Sequence, residues 1–505
     1  MNLAPLLPRA ALLYGSEAAV RCGTTSWSYA ELEREAHDLA RRLAALGIGR
    51  GDRVALLHRN CHRFVKTAFA AVFGGQTLVP LNVRLDPGSL GEMLVDAGAK
   101  ALLTEPSLEP LARQAARRAK GVEVFDVEGV PEAPRAPDLP KAPPLPGDVA
   151  WIVYTSGTTG RARGAMLTHG NVASHALMAI AELGLSDRDV WAHVAPMFHL
   201  ADAWAIFAVT AVGGVHVVFP DFEAAAILDG FEREGVTITN LVPTMLHRLV
   251  SDPSAGGRRF PALRAILSGG ASITPTLLDR VLATFRCEYV QTYGLTETSP
   301  YLTFSTLKRT LRDRPEAERR RFLARTGRPA LGVELRVVDE TGRDVPRDDR
   351  AVGEIRVRAP WVTPGYWHRP EETAAAFEDG WFKTGDLATW DAEGYADIVD
   401  RKKDVIVTGA EKVYSLEVER ALSAHPAVDE CAVVGLPDEE WGEIVCAAIV
   451  VGPGPRPSEE EIAAHLRERL AGFKVPRKVF FVDSLPKTGS GKIRKRELAR
   501  SLRPD

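Results

Sequence analysis

The sequence predicts an α/β protein with a smaller α/β domain at its carboxyl end, and three observations carry this. Apolar runs of strand length alternate with longer segments of helical period through most of the chain. That alternation is the pattern of sheets covered by helices. After about residue 330 the texture changes to hairpin-like runs, and a separate set of strands and a helix follows from about residue 401 to 505.

The elements follow in order. TSWSYAELEREAHDLARRLAALG reads as a short strand entering an amphipathic helix, with Leu32, Ala36, Leu39, Leu43 and Leu46 on one face and Gly47 as the stop. GDRVALLH is a strand, FVKTAFAAVFGG a helix and TLVPLN the next strand. AKALLTE, VHVVF, ITNLVP and LRAILSGG continue the alternation, and the proline-rich stretch 131–148 is a loop. VELRVVDETGRDVP and VGEIRVRAP predict a β hairpin. ECAVVGLPD and EIVCAAIVV predict strands and SEEEIAAHLRERL a helix of the last domain, while RDRPEAERRRF reads as a solvated helical insert.

Composition narrows the function classes. A chain of 505 residues with net charge −3 can hold several cores and gives no reason to expect a nucleic-acid surface. Cys22, Cys61, Cys287, Cys431 and Cys446 form no ligand cluster or pair, which points to a reducing cytoplasm. The most membrane-like stretch, 203–215, is too short to span and reads as a buried core helix, so no transmembrane segment is expected.

The most informative segment is YTSGTTGRARGAMLTHGN, residues 154–171, after the strand-like VAWIV. Gly157 and Gly160 permit a tight turn, and Thr155, Ser156, Thr158 and Thr159 surround it with hydroxyls, a composition that can bind phosphate through backbone N–H groups. A polar turn leading to a helix fits the same composition, and local sequence leaves both open. No complete GxxxxGK[ST] occurs, since GSGK near the end lacks the first Gly and is followed by Ile493.

Five further motifs stand in order: PMFH at 196–199, YGLTE at 293–297, TGD at 384–386, DRKKD at 400–404 and PKTGSGKIRK at 486–495. With the glycine-rich segment, the set resembles the adenylate-forming superfamily of acyl-CoA synthetases, luciferases and peptide-synthetase adenylation domains over nearly the whole chain. The resemblance implies a large amino-terminal region of two α/β subdomains plus a β barrel, here 1–399, and a small mobile lid, 400–505, hinged near Asp400. It implies an ATP-dependent, Mg²⁺-requiring ligase that adenylates a carboxylic acid and passes the acyl group to coenzyme A.

Residue roles come with the resemblance. Tyr293 offers a face to adenine beside Gly294, and the SGGAS loop with Gly269, Gly270 and Ala271 lies next to it. Thr296 offers a hydroxyl near phosphate, and Glu297 an oxygen ligand of the kind Mg²⁺ prefers. Asp386 and Arg401 are the ribose contacts. Lys492 is the catalytic lysine, an ammonium placed against charge developing at the α-phosphorus. Taken alone, each of these residues also reads as an ordinary turn or surface group.

The acyl pocket is expected to draw on Phe198, His199, Trp204, Asn240, Val242, Ser268, Gly270 and Thr292, with His199 positioning and gating rather than acting as a base. Thr292 is bulkier than the glycine alternative, narrows the tunnel and favours a short, medium or aryl acid over a long chain. FHLA, with His199 where amino-acid activators place an Asp, disfavours an amino acid, although Asp202 lies near. On the thiol side, TGAEKVYSLEVE places Gly409 beside the pantetheine channel with Trp441 near it. Ala410, Lys412 and Ser415 depart there from the usual GGENVYP. A carrier-protein thiol as acceptor, a homodimer and an inactive nucleotide-binding scaffold remain the alternatives.

Overall fold

The computed structural model describes residues 1–132, 138–156, 162–452, 454–487 and 493–503. Four sheets organise them. The first has six strands in the spatial order Glu123–Asp126, Ala99–Thr104, Arg53–Leu57, Thr77–Pro80, Val149–Ser156 and Ala162–Thr168. Its first five strands run parallel, and the last turns back antiparallel on its neighbour. The second has nine strands. Ala18–Cys22, Val215–Val218, Val190–His193, Ile238–Leu241, Ala265–Ser268 and Glu288–Gly294 form its parallel centre, with antiparallel strands at both edges.

Why these segments become central strands is visible in their burial: every residue of Thr77–Pro80, Ile238–Leu241 and Ala265–Ser268 is buried, as parallel strands covered on both faces require. The two sheets share one core. Phe207, on the buried helix Ala205–Val212, meets Phe69 at 5.4 Å and Trp151 at 5.7 Å between ring centroids. The membrane-like stretch is therefore interior packing, and no helix among the described residues is long and apolar enough to cross a membrane. At the amino-terminal end the amphipathic segment is the helix Tyr29–Ala45, opened by a capping box between Ser28 and Glu31.

The third sheet is the antiparallel, curled one. Glu334–Val338 pairs with Gly353–Arg358, which pairs with Trp381–Trp390, which pairs with Ala396–Arg401, around a core of Leu302, Val337, Ile355 and Trp390. The arginine-rich insert is the helix Glu316–Leu323, which buries none of its residues. In the fourth sheet, Gly442–Val451 pairs with Val428–Asp438, Ile406–Thr408 and Lys478–Phe481. Helices Ser415–Ser423, Glu459–Arg467 and Lys495–Ser501 cover it, and its cores are its own. The sequence-based expectation of two α/β units, a barrel-like antiparallel sheet and a small carboxyl-terminal α+β unit describes this architecture.

Candidate active site

Adjacent parallel strands of the large sheet end at the motifs. Val190–His193 leads to PMFH, Ile238–Leu241 to Val242, Ala265–Ser268 to Gly269, and Glu288–Gly294 into YGLTE. The crevice beyond the carboxyl ends of parallel strands is where open α/β sheets bind ligands. Two glycines there are fixed by contact. A Cβ on Gly294 would sit 1.8 Å from the Pro300 carbonyl oxygen, and one on Gly269 would sit 2.5 Å from Thr292 Oγ1. Gly270 follows at φ +83°, and the Ala271 carbonyl accepts from Gln291 Nε2 at 2.9 Å.

The polar half of the site centres on Asp386, which is 3% exposed. Tyr293 Oη donates to Asp386 Oδ2 at 2.8 Å, and Arg401 Nε lies 3.1 Å from Oδ1. Strand pairing sets this up, since Asp386 stands opposite Arg401 in the ladder joining Trp381–Trp390 to Ala396–Arg401. Burial, then the neighbouring Asp386 charge, pushes the Tyr293 phenol well above its ordinary pKa, so it remains a neutral donor. The Asp386 charge also raises the pKa of the Arg401 guanidinium.

Glu297 stands in the short turn Thr296–Thr298 directly after Gly294 and Leu295. It is 7% exposed and accepts from Tyr366 Oη at 2.9 Å. Arg163, across the glycine-rich segment from Thr155, stacks over the Tyr366 ring at 4.7 Å and pairs with Glu372 at 3.2 Å. Neither Tyr366 nor Arg163 was anticipated from sequence. GYW at 365–367 was the available signal, but an aromatic pair after a glycine reads as packing until its hydroxyl is seen on Glu297. Among the described residues no group of three or more His, Cys, Asp or Glu could cage a metal. A lone oriented carboxylate fits Mg²⁺, which binds through one or two carboxylates plus phosphate oxygens rather than a full protein cage.

The strands carrying the glycine-rich segment pair through Tyr154 opposite Gly164 to Ser156 opposite Ala162. Thr155 lies on the first of them; Gly157, Thr158, Thr159 and Gly160 lie outside the described residues, as does Lys492. After the segment the chain forms the strand Ala162–Thr168 before its helix, rather than entering a helix directly.

The apolar half is built around one carbonyl. Ala201 O accepts from Asn240 Nδ2 at 2.5 Å, Trp204 Nε1 at 3.1 Å and Tyr301 Oη at 3.1 Å. Trp204 and Tyr301 meet edge to face at 5.3 Å, and Trp204 also abuts Trp191 at 5.1 Å and His175 at 5.3 Å. Tyr301 N donates to His175 Nε2 at 3.1 Å, which places the histidine proton on Nδ1, and full burial pushes its pKa down to about 3. Tyr301 and His175 are thus two further wall residues that no motif marked. Phe198 meets His199 at a tilted 4.7 Å between ring centroids, on a loop clamped by Asn60, which accepts from Met197 N at 2.7 Å and donates to Ala195 O at 2.8 Å.

One expected wall group is turned elsewhere, and the nearby Asp202 is already engaged. Ser268 follows Leu267 on a strand, so its side chain projects to the opposite face, with Ile266 and Tyr289. What Ser268 presents toward Thr292 is its carbonyl, at 3.1 Å from Thr292 Oγ1. Asp202 is fully buried, and both its oxygens are taken, by Trp191 Nε1 at 3.1 Å and His193 Nδ1 at 2.5 Å. It therefore offers no counter-ion to a substrate ammonium. Val242 caps the helix Pro243–Ser251.

On the fourth sheet Gly409, at φ +54°, donates its N–H to Trp441 O at 3.0 Å, and a Cβ there would meet the Trp441 ring at 2.7 Å. Ala410 adopts φ +70°, a strained backbone for a residue with a Cβ. Among the described residues no hydrogen bond joins this pair to Asp386 or Tyr293, so Gly409 and Trp441 form a second, separate cluster.

Residues 7–367 match the family model of the AMP-binding enzyme, and residues 417–492 match that of the AMP-binding enzyme C-terminal domain. Feruloyl-CoA synthase of Amycolatopsis sp is 39% identical over 491 residues, covering 95% of each chain. A long-chain-fatty-acid–CoA ligase of Thermus thermophilus is 38% identical over 516 residues, covering 99% of this chain and 95% of its own. The solved o-succinylbenzoate-CoA synthetase of Bacillus subtilis, in complex with its acyl-adenylate intermediate, superposes with a TM-score of 0.88 at 30% identity, covering 98% of this chain and 97% of its own. The chain belongs to the AMP-binding enzyme family.

Proposed function

We propose that this AMP-binding enzyme is an acyl-CoA synthetase for a fatty or aryl acid: acid, ATP and CoA give acyl-CoA, AMP and diphosphate through an acyl-adenylate. The observation that carries the reading is the convergence of Tyr293 and Arg401 on Asp386 beside Glu297, at the carboxyl ends of the parallel strands. The chain is an AMP-forming acid ligase that uses ATP, Mg²⁺ and CoA.

In the first step a carboxylate oxygen attacks the α-phosphorus, the bond to the β-phosphate breaks and diphosphate leaves. The acid is already ionised near neutral pH, so no general base is needed. We assign Asp386 to the ribose hydroxyls, with Arg401 beside it, and the Tyr293 ring to the adenine. The hydroxyls of Thr155, Ser156, Thr158, Thr159 and Thr296, and the backbone of Gly157, Gly160, Gly269, Gly270, Ala271 and Gly294, are assigned to the nucleotide and its phosphates. Glu297 would hold Mg²⁺, which when bound neutralises charge on the triphosphate. Lys492 is assigned to the charge at the α-phosphorus. In the second step a thiolate attacks the acyl carbonyl and AMP leaves. Gly409 and Trp441 are assigned to that thiol's approach.

The acid's carboxylate is placed by His199, with Phe198, Trp204, Asn240, Thr292 and Tyr301 around the acyl group. With Asp202 committed to Trp191 and His193, the wall favours an acid without an ammonium. The buried aromatic packing of Trp204 and Tyr301 supports a short, medium or aryl acid over a long chain. Residues 400–505 are read as the lid domain, hinged at Asp400, and the five free cysteines fit a cytoplasmic enzyme.

The test is thioester formation with Mg·ATP and CoA across acetate, straight-chain fatty acids, benzoates, cinnamates and malonate. A preferred aryl or medium-chain acid yielding equal acyl-CoA and AMP supports the reading. Acyl-adenylate without acyl-CoA shifts the acceptor to a carrier-protein thiol. Adenylation of none of these acids counts against the substrate class.

A further inference from the structure

Asp400 is 1% exposed, yet both its oxygens are engaged by backbone N–H groups. Oδ1 accepts from Arg401 N at 2.7 Å and Oδ2 from Ser415 N at 2.5 Å. Ser415 is the first residue of the helix Ser415–Ser423, and its hydroxyl accepts from Lys495 Nζ at 2.5 Å. The same ammonium lies 2.7 Å from Glu419, whose carboxylate also takes Val433 N–H at 2.8 Å. Burial pushes the Asp400 and Glu419 carboxyls up, and the Lys495 charge is the main influence opposing it in both.

This buried cluster has two arms, the first of them toward the adenylation groups. Through Asp400 it fixes the backbone of Arg401, whose side chain sits on Asp386 and so beside Tyr293. Through Lys495 it anchors the chain three residues beyond Lys492. There Lys487 and Ile493 form a bridge and Arg494 N donates to Pro486 O at 2.8 Å, bracketing residues 488–492. A proline at 415 would have neither N–H nor hydroxyl. It could make neither bond.

We propose that Ser415 is a positioning residue for adenylation, joining Asp400 and Lys495 in one buried cluster that holds Arg401 on Asp386. The proposal rests on the adenylating function proposed above.

Ser415→Pro tests it without dismantling the helix. Proline suits the first helical position, and Tyr414, at φ −86° and ψ 115°, already has the extended backbone that a residue before proline adopts. Ser415→Ala removes the hydroxyl and keeps the N–H. With an acid that the wild type adenylates, we expect pyrophosphate exchange to slow about tenfold, with a raised KM for ATP, in Ser415→Pro, and about threefold in Ser415→Ala. Thioester formation from supplied acyl-adenylate and CoA stays within about twofold of wild type in both, since Gly409 and Trp441 lie outside the cluster. Unchanged exchange in Ser415→Pro overturns the proposal. So does an equal loss in both half-reactions with a lower melting temperature, which marks Ser415 as structural only. Absence of exchange by the wild-type protein with every acid overturns instead the adenylating function itself, and the positioning role with it.

Discussion

The polar and apolar halves of the site are built on different principles. Around Asp386 the contacts are charge-assisted and pairwise: Tyr293 on one oxygen, Arg401 on the other, Tyr366 on Glu297. Around Ala201 they are collective, one backbone carbonyl taking three donors while Trp204, Tyr301, Trp191 and His175 pack ring against ring. The first half is discrete chemistry, in which each residue type is dictated by the group it meets. The second is a shaped volume, in which many residue sets can enclose similar space. A change in the first should alter catalysis with any acid, and a change in the second should alter which acid is taken.

Lys492→Ala tests the first half most severely. Loss of a localised cation from the α-phosphorus should lower pyrophosphate exchange by about 10² to 10³-fold with little change in the KM for the acid. A tenfold or smaller loss would move the catalytic charge elsewhere. Asp386→Ala should raise the KM for ATP by about 10 to 100-fold, because Tyr293 and Arg401 lose their shared acceptor along with the ribose contact. Rescue by high ATP is the check.

Trp204→Ala should instead move acid preference toward larger acyl groups by about tenfold in kcat/KM, with the KM for ATP within about twofold of wild type. Because Trp204 is 1% exposed, the variant should also lose about 3 to 5 kcal/mol of stability, seen as a lower melting temperature. Gly409→Ala should slow acyl transfer to CoA about fivefold and leave adenylation unchanged, since the added Cβ strains φ +54° and meets Trp441. The smallest effect is acid sensitivity. His175 is neutral in the fold with a pKa near 3 but titrates near 6.5 when unfolded, so its contribution is full above pH 6.5 and declines as pH falls toward 3. The melting temperature should fall from pH 7 to pH 5, and His175→Gln should flatten that slope.

The same contrast explains what could be read from sequence. Strands and helices were legible because burial imposes their periods, as in Tyr29–Ala45 or the buried run Ala265–Ser268. Asp386, Glu297 and Tyr293 were legible because they stand in short ordered motifs. Tyr301 and His175 were not, since an apolar strand residue and a helical histidine look like ordinary core until the fold brings them to Trp204. The side-chain direction of Ser268 depended on strand parity, which a one-residue error reverses. Asp202 could not be separated from a substrate-binding carboxylate until His193 and Trp191 were seen on its oxygens.

The most direct test of the central claim follows oxygen. If a preferred acid is supplied with both carboxylate oxygens labelled as ¹⁸O, an acyl-adenylate route places one label in AMP for each thioester formed, because the attacking oxygen leaves with the phosphate. Mass spectrometry of the AMP should show that single label. Unlabelled AMP, or label in inorganic phosphate alongside ADP, would contradict the adenylate mechanism.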